Sequence, residues 1–274
     1  MTNIKIEYIH EFARKLRNNS LKMAFDAGKN GAHLGGGLSA VEIFACLYGG
    51  IMNVNSKHYD DANRDRLIIS KGHCVLPYYS ALRETGFLTN DDISGFEVNG
   101  SPLHGHATRD ITKGMEFSGG SLGLGMSYAV GVALSAKLDA LPYHVYVIVG
   151  DGECNEGIVW EALMSASHYG LNNLTVIVDH NKLQYDGSVS TVMNMGDLKV
   201  KFDAFGCQTI EVDGHNVEEL CDAFNRKSET KPNAIIAHTV KGKGVSFMEN
   251  KKEWHHGVLS KDQFDIAMSE QLSF

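Results

Sequence analysis

The sequence predicts an α/β fold: a doubly wound, mainly parallel sheet with helices on both faces. Three observations point there. Short apolar, β-branched segments at 66–70, 144–149, 174–179, 208–212 and 234–239 read as buried strands. Helical segments at 122–138, 155–169 and 216–226 fall between them, the alternation expected of strands joined by crossover helices. Turns rich in glycine follow, above all Gly150-Asp151-Gly152 after the strand at 144–149.

Taken in order, Ile4, Tyr8, Phe12, Leu16 and Met23 recur at helical spacing, so a first amphipathic helix is expected over Ile4 to Ala27. A glycine-rich loop, Gly28 to Gly37, comes next. Ser39-Ala40-Val41-Glu42 has the form of a capping box, with a helix through Tyr48 behind it. The strand at 66–70 feeds a loop at Lys71-Gly72-His73. A second capping box, Ser260-x-x-Gln263, opens an expected terminal helix, so the stop at Phe274 reads as a natural end. With 4 prolines, no linker-like stretch and no internal repeat, a single domain over 1–274 is expected.

Charge and composition narrow the function. A net charge of -8 without a lysine/arginine cluster argues against a nucleic-acid surface. The longest apolar stretch, near Val132 to Val149, is broken by Lys137, Asp139, Pro142 and His144, so no bilayer crossing is expected. The start lacks a signal-peptide core. Five scattered cysteines without C-x-x-C suit a reducing compartment, and cytoplasm is the expected location.

In parallel sheets ligands bind beyond the carboxyl ends of the strands. Gly150-Asp151-Gly152 stands at such an end, where glycines let a backbone approach a diphosphate and the helix expected after Glu153 would offer a positive dipole. The neighbouring strand ends two residues before Asn181, so Asp151 and the Asn181 amide oxygen are candidates for one hard, oxygen-preferring ion such as magnesium. A dinucleotide fingerprint fails at its third glycine, because Asn155 stands there. Taken singly, each piece is also an ordinary turn. Of 13 histidines, four sit beside glycine in loops: His33, His73, His106 and His256.

The stretch GDGECNEG through VDHNKLQYDG resembles the thiamine diphosphate motif, which opens with GDG and closes with Asn about thirty residues on. The contexts Asp65-Arg66 to His73, Gly105-His106, Gly120-Ser-Leu-Gly123 and His256-Gly257 resemble the transketolase family over most of the chain. The resemblance implies thiamine diphosphate and Mg2+, with Ca2+ or Mn2+ as alternatives. By it Asp151, Asn181 and the Leu183 carbonyl would hold the metal. Gly150, Gly152 and Glu153 would lie against the diphosphate, and Gly120 and Leu122 around the aminopyrimidine and diphosphate. His73 and His256 would contact diphosphate or substrate, His33 and His106 the donor's C1 and C2 oxygens, and Glu156 a carboxylate network at a subunit interface. Weaker candidates are His104, His180, His215 and His255.

Two departures from the family matter. The first loop reads GAHLGGGLSA where long forms carry a proline-containing stretch, and the pyrimidine-binding and third domains are absent from this sequence. A split enzyme is therefore expected. In it this chain, completed by a partner subunit in a heterotetramer-like assembly with some self-association, transfers a two-carbon ketol unit between sugars or sugar phosphates. The same motif leaves open a deoxyxylulose-phosphate-synthase-like enzyme, a 2-oxo acid dehydrogenase α subunit, or a non-catalytic cofactor-binding subunit.

Overall fold

A computed structural model describes residues 3–273, and the side chain of Ile4 lies outside what is described. Five strands form one parallel sheet in the order β1-β2-β3-β5-β4. They are β1 (Arg66–Ile69), β2 (Val145–Gly150), β3 (Leu174–His180), β4 (Gln208–Asp213) and β5 (Asn233–His238). Gly150 pairs with Asp179 and His180 with His238, so β2, β3 and β5 finish along one edge. That edge carries the candidate site.

β2, β3 and β5 are apolar and buried over most of their length because both their faces are covered, whereas the edge strand β4 is mostly partly exposed and carries Gln208, Glu211 and Asp213. Val145, Val147 and Val149 of β2 point to one side, with Val176 and Val178 of β3. There they meet α6 (Leu124–Leu138), α7 (Gly157–His168) and α9 (Leu198–Ala204). Tyr146, Ile148 and Ile177 point to the other side. Here lie α1 (Asn3–Asp26), α3 (Val41–Cys46), α4 (Val75–Glu84) and α10 (Val217–Asn225). The remaining helices are short or peripheral: α2 (Leu34–Leu38), α5 (Asn90–Ser94), α8 (Val189–Val192) and α11 (Lys261–Glu270). No described helix is long and apolar enough to cross a membrane, and all five cysteines are free and buried.

Three expectations need correction. The glycine loop 28–37 is interrupted by α2, whose buried glycines let it press close: a Cβ on Gly36 would stand 2.9 Å from the His73 ring. Ser39 and Glu42 form no capping box. The Ser39 hydroxyl donates to Gly36 O and to Asp179 Oδ2 at 2.5 Å, while Glu42 is drawn into the core by Arg17 and His215. Tertiary partners with buried charge outcompete a local cap. Finally, Gly152–Asn155 is a 3-10 turn and α7 begins only at Gly157, with Glu156 as its N-cap residue, so no α-helix N-terminus abuts Gly152. The Ser260–Gln263 capping box is present as expected.

Candidate functional site

The site grows from the ends of β2 and β3. Asp151 is 3% exposed, and its carboxylate accepts from Gly152 N at 2.8 Å and Lys182 N at 2.6 Å. Lys182 adopts a left-handed φ of 66°, one of four such non-glycine residues among those described. This turn folds the chain back, so that Leu183 N donates to Asn181 Oδ1 at 3.0 Å and Leu183 pairs with Ser188. Asp151, Asn181 and Leu183 thereby share one wall of a cavity of about 780 Å³. Burial and the neighbouring Asp179 push the Asp151 carboxyl up to about 6, the state of a carboxylate short of positive charge.

Glu153 is also buried, and its oxygens are engaged within the protein: by the Ser70 hydroxyl at 2.5 Å, Gly123 N at 2.7 Å and Gly150 N at 2.9 Å. It ties the β1, β2 and α6 loops together. Gly120, Leu122, Gly150, Gly152 and Glu156 all border the cavity. Leu122 is 43% exposed at its mouth, with Tyr185 and Met193 exposed beside it.

Imidazoles line the same cavity. His33 stands 5.3 Å from His106, 5.7 Å from His73 and 4.7 Å from His256, between ring centroids. His33, His73 and His106 line the cavity; His256 does not, being packed behind His33, and His255 takes the lining position. The His255 ring is 4.7 Å from His73, and its Nδ1 is 3.0 Å from Lys241 Nζ. Burial, then His256, His106 and Lys241, bring His33 down to about 4. Burial and then Lys241 bring His255 down to about 3, and His73 falls well below its ordinary value through burial and Lys71.

These histidines are neutral in the folded chain above their depressed values and charge near 6.5 when unfolded. The unfolded state therefore binds more protons below pH 6.5, and the stability they contribute is present above that pH and lost as pH falls toward 4. The expected result is a thermal midpoint that drops between pH 6.5 and 4, with a shallower drop in His33→Asn. An identical pH profile in that variant would contradict the assignment.

Two lysines were legible only as context. Lys71, 2% exposed, pairs with the fully buried Asp179, which also accepts from Ser39 and Thr239. Burial opposes the charge on Lys71, but Asp179 prevails and raises its proton affinity. Lys241 donates to the Leu183 carbonyl at 3.2 Å, and burial followed by repulsion from Lys71 brings it down to about 8. The run Lys241-Gly242-Lys243-Gly244 just beyond β5 is a signal the sequence does offer.

Of the weaker candidates, His180 and His215 lie on the far side of the 181–196 loop. They line a second cavity of about 940 Å³ that shares Asp151, Asn181 and Leu183 but has none of the other histidine cluster. His215 Nδ1 faces Glu42 at 2.8 Å while its Nε2 accepts from Val240 N, a structural role. His104 lies apart, with its carbonyl accepting from Tyr79.

The residues present fit a diphosphate and a divalent cation. The oxygen set of Asp151, Asn181 and the Leu183 carbonyl is hard, and one of its members already accepts from an ammonium group. Lys71 in the lining and Lys241 against the Leu183 carbonyl supply positive charge nearby. Three buried side-chain atoms bordering the cavity, His33 Nδ1, Asn155 Oδ1 and Gln184 Oε1, have no protein partner. Buried polar atoms seldom remain so, and a polar ligand explains them.

A parallel sheet whose strand ends gather hard oxygens, lysines and imidazoles around one cavity defines a cofactor-binding α/β domain. The sequence matches the family described as transketolase, thiamine diphosphate binding domain, over residues 12–273, and the chain belongs to that family. It is 37% identical over 269 residues to one subunit of an apulose-4-phosphate transketolase of Phocaeicola vulgatus, covering 97% of this chain and 95% of that one. It is 36% identical over 273 residues to one subunit of a 6-deoxy-6-sulfo-D-fructose transketolase of a Clostridium species, covering 98% of each. A solved transketolase from Leishmania mexicana superposes with a TM-score of 0.88 at 29% identity, over 96% of this chain and 41% of that chain. The chain thus spans about two fifths of that transketolase's length.

Proposed function

We propose that this chain is the cofactor-anchoring subunit of a two-subunit transketolase, holding thiamine diphosphate through a divalent cation at Asp151, Asn181 and the Leu183 carbonyl. The observation that carries the reading is the one cavity lined both by Asp151, Asn181 and Leu183 and by His33, His73 and His106. Mg2+ is the first choice, because it accepts a few protein oxygens beside phosphate oxygens and water; Ca2+ and Mn2+ offer the same oxygen chemistry. The whole of 1–274 serves as one domain.

When bound, thiamine diphosphate supplies the carbon nucleophile for transferring a two-carbon ketol unit from a ketose to an aldose. The chain's residues do the rest. Gly150 and Gly152 leave the backbone open to the diphosphate, while Glu153 fixes the loops around it. Gly120 and Leu122 flank the aminopyrimidine, with His73, Lys71 and Lys241 toward the phosphate charge. His33 and His106 face the donor's C1 and C2 oxygens, where neutral imidazoles can hydrogen-bond to these oxygens and accept a proton from them. His256 supports His33 from behind. Glu156, exposed at the mouth, faces a neighbouring subunit.

The exposed Leu122, Tyr185 and Met193 form an apolar rim of the kind a second polypeptide covers. The partner supplies the pyrimidine-binding domain and completes a heterotetramer-like assembly in the cytoplasm. Relatives named for apulose 4-phosphate and for a sulfofructose point to a specialised sugar or sugar phosphate as substrate. Ketol transfer by the purified chain with thiamine diphosphate and Mg2+, alone and with the partner subunit, tests the reading. Turnover is expected only with both chains. Robust activity of this chain alone would defeat it.

A further inference from the structure

Glu97 is one of the four non-glycine residues with a left-handed backbone among those described, at φ 57°. A side chain there is disfavoured by contact of Cβ with the backbone, and glycine or asparagine would take the position more readily. Three tethers hold it. Its N–H donates to Leu103 O at 2.9 Å, its carbonyl accepts from Asn30 Nδ2 at 2.9 Å, and its Oε1 accepts from Gly105 N at 2.5 Å. Asn30 precedes His33 by three residues and Gly105 precedes His106 by one. Glu97 therefore joins the two loops that carry this pair of histidines.

The junction is tight. A Cβ on Gly105 would fall 2.8 Å from Glu97 Oε1 and 3.6 Å from His33 Nδ1, so the carboxylate and the first imidazole both close over this glycine. From the other side, a Cβ on Gly72 would stand 3.0 Å from His106 Cδ2. The His106 ring is confined between the Lys71-Gly72-His73 loop and the turn that Glu97 grips, at 72° to the His33 ring. Glu97 is also the carboxylate whose field opposes the lowering of His106 by burial. The charged groups around the remaining cluster are Lys71, Lys241 and other histidines, all of which disfavour a proton.

We infer that Glu97 is a positioning residue: its carboxylate clamps the Gly105 amide and so holds the His106 ring edge-on beside His33, at the end of the cavity where the donor ketose would lie. This rests on the transketolase reading for what the histidines do, and on geometry alone for how they are held. A strained backbone kept for a side-chain contact beside a candidate site is the pattern expected when geometry there matters.

Two variants separate the clamp from the fold. Glu97→Gln keeps an oxygen for the Gly105 N–H, whereas Glu97→Gly removes the clamp and accepts the left-handed φ without strain. In the holoenzyme with its partner subunit, Glu97→Gly should lower kcat roughly tenfold or more, as misplaced catalytic groups do. Its donor KM should stay within about threefold and its thermal midpoint should not fall below that of the unchanged chain. Glu97→Gln should restore most of the rate. Unchanged kcat in Glu97→Gly, or equal losses in both variants, overturns the inference.

A second readout needs no cofactor, partner or substrate. The His106 ring resonances of the chain by itself, assigned with His106→Gln, should move in Glu97→Gly and stay close to their original positions in Glu97→Gln. Resonances unmoved in Glu97→Gly also overturn the inference. If they move as expected but the unchanged holoenzyme performs no ketol transfer, the positioning role is upheld and the functional reading is what fails.

Discussion

Asp151→Ala is expected to weaken cation-dependent binding of thiamine diphosphate in the assembled enzyme severely. The carboxylate lies 3% exposed, close enough to Asp179 that the pair favours a proton on Asp151. A diphosphate brought to the same wall would add further negative charge, which Lys71 and Lys241 only partly balance. A divalent cation removes that conflict by accepting the carboxylate and phosphate oxygens together. Truncating one partner of a buried charge contact typically costs about 2–5 kcal/mol, which is roughly thirtyfold or more in affinity. Calorimetric titration of thiamine diphosphate with Mg2+ and with chelator measures it. Asp151→Asn keeps one acceptor oxygen, enough for Gly152 N, now on Oδ1, or for Lys182 N, now on Oδ2, but not for both, so lost affinity at an unchanged thermal midpoint is what separates cation binding from loop support. Undiminished affinity in Asp151→Ala would show that the cation sits elsewhere.

Asp179→Leu has the largest expected effect on stability. Asp179 and Lys71 are 0% and 2% exposed, and the carboxylate accepts from Lys71, Ser39 and Thr239, with Asn181 Nδ2 at 3.4 Å. Removing one member leaves Lys71 with Gly36 O at 2.8 Å and Ser39 Oγ at 3.4 Å, and with no carboxylate paired directly to it. Breaking a buried pair in this way costs about 3–5 kcal/mol, on the order of 10 °C in thermal midpoint for a chain of this size. The double variant Asp179→Leu/Lys71→Met should regain much of that stability, because two apolar groups replace two buried charges. It should not regain cofactor affinity, since the ammonium that borders the cavity is gone. A single variant that unfolds within 2 °C of the unchanged chain would contradict this account.

The inner strands were legible because burial on both faces leaves a continuous apolar signature, and the edge strand β4 because it falls in the same alternation with helices; the expected segments match β1 to β5 within a residue or two. The metal-site candidates were legible for a local reason: Asp151 and Asn181 follow the ends of adjacent parallel strands, so strand position alone puts them on one edge. Residues that meet across long stretches of chain were not. Lys71 and Asp179 lie 108 residues apart, and Ser39 and Asp179 140 apart, so nothing local announces the network beneath the site. The same distance effect misled the reading of Ser39 and Glu42, whose side chains serve Asp179, Arg17 and His215 in place of a helix end. Between His255 and His256, sequence context favoured the second, but the 3-10 turn Lys252–His255 aims the first at Lys241 and the cavity. Glu97 carried no signal at all, since a left-handed glutamate is visible only once the backbone is known.

The central claim is that the ends of β2 and β3 hold a divalent cation that anchors a diphosphate. A crystal of the assembled enzyme grown with thiamine diphosphate and Mn2+ in place of Mg2+ tests it most directly, because the anomalous signal locates the metal independently of the surrounding density. The account predicts one strong peak within coordinating distance of the Asp151 carboxylate, the Asn181 amide oxygen and the Leu183 carbonyl, with Lys241 withdrawn from that carbonyl. A peak coordinated by the His180 and His238 rings in place of Asp151, or a diphosphate bound with no metal at Asp151, would contradict it.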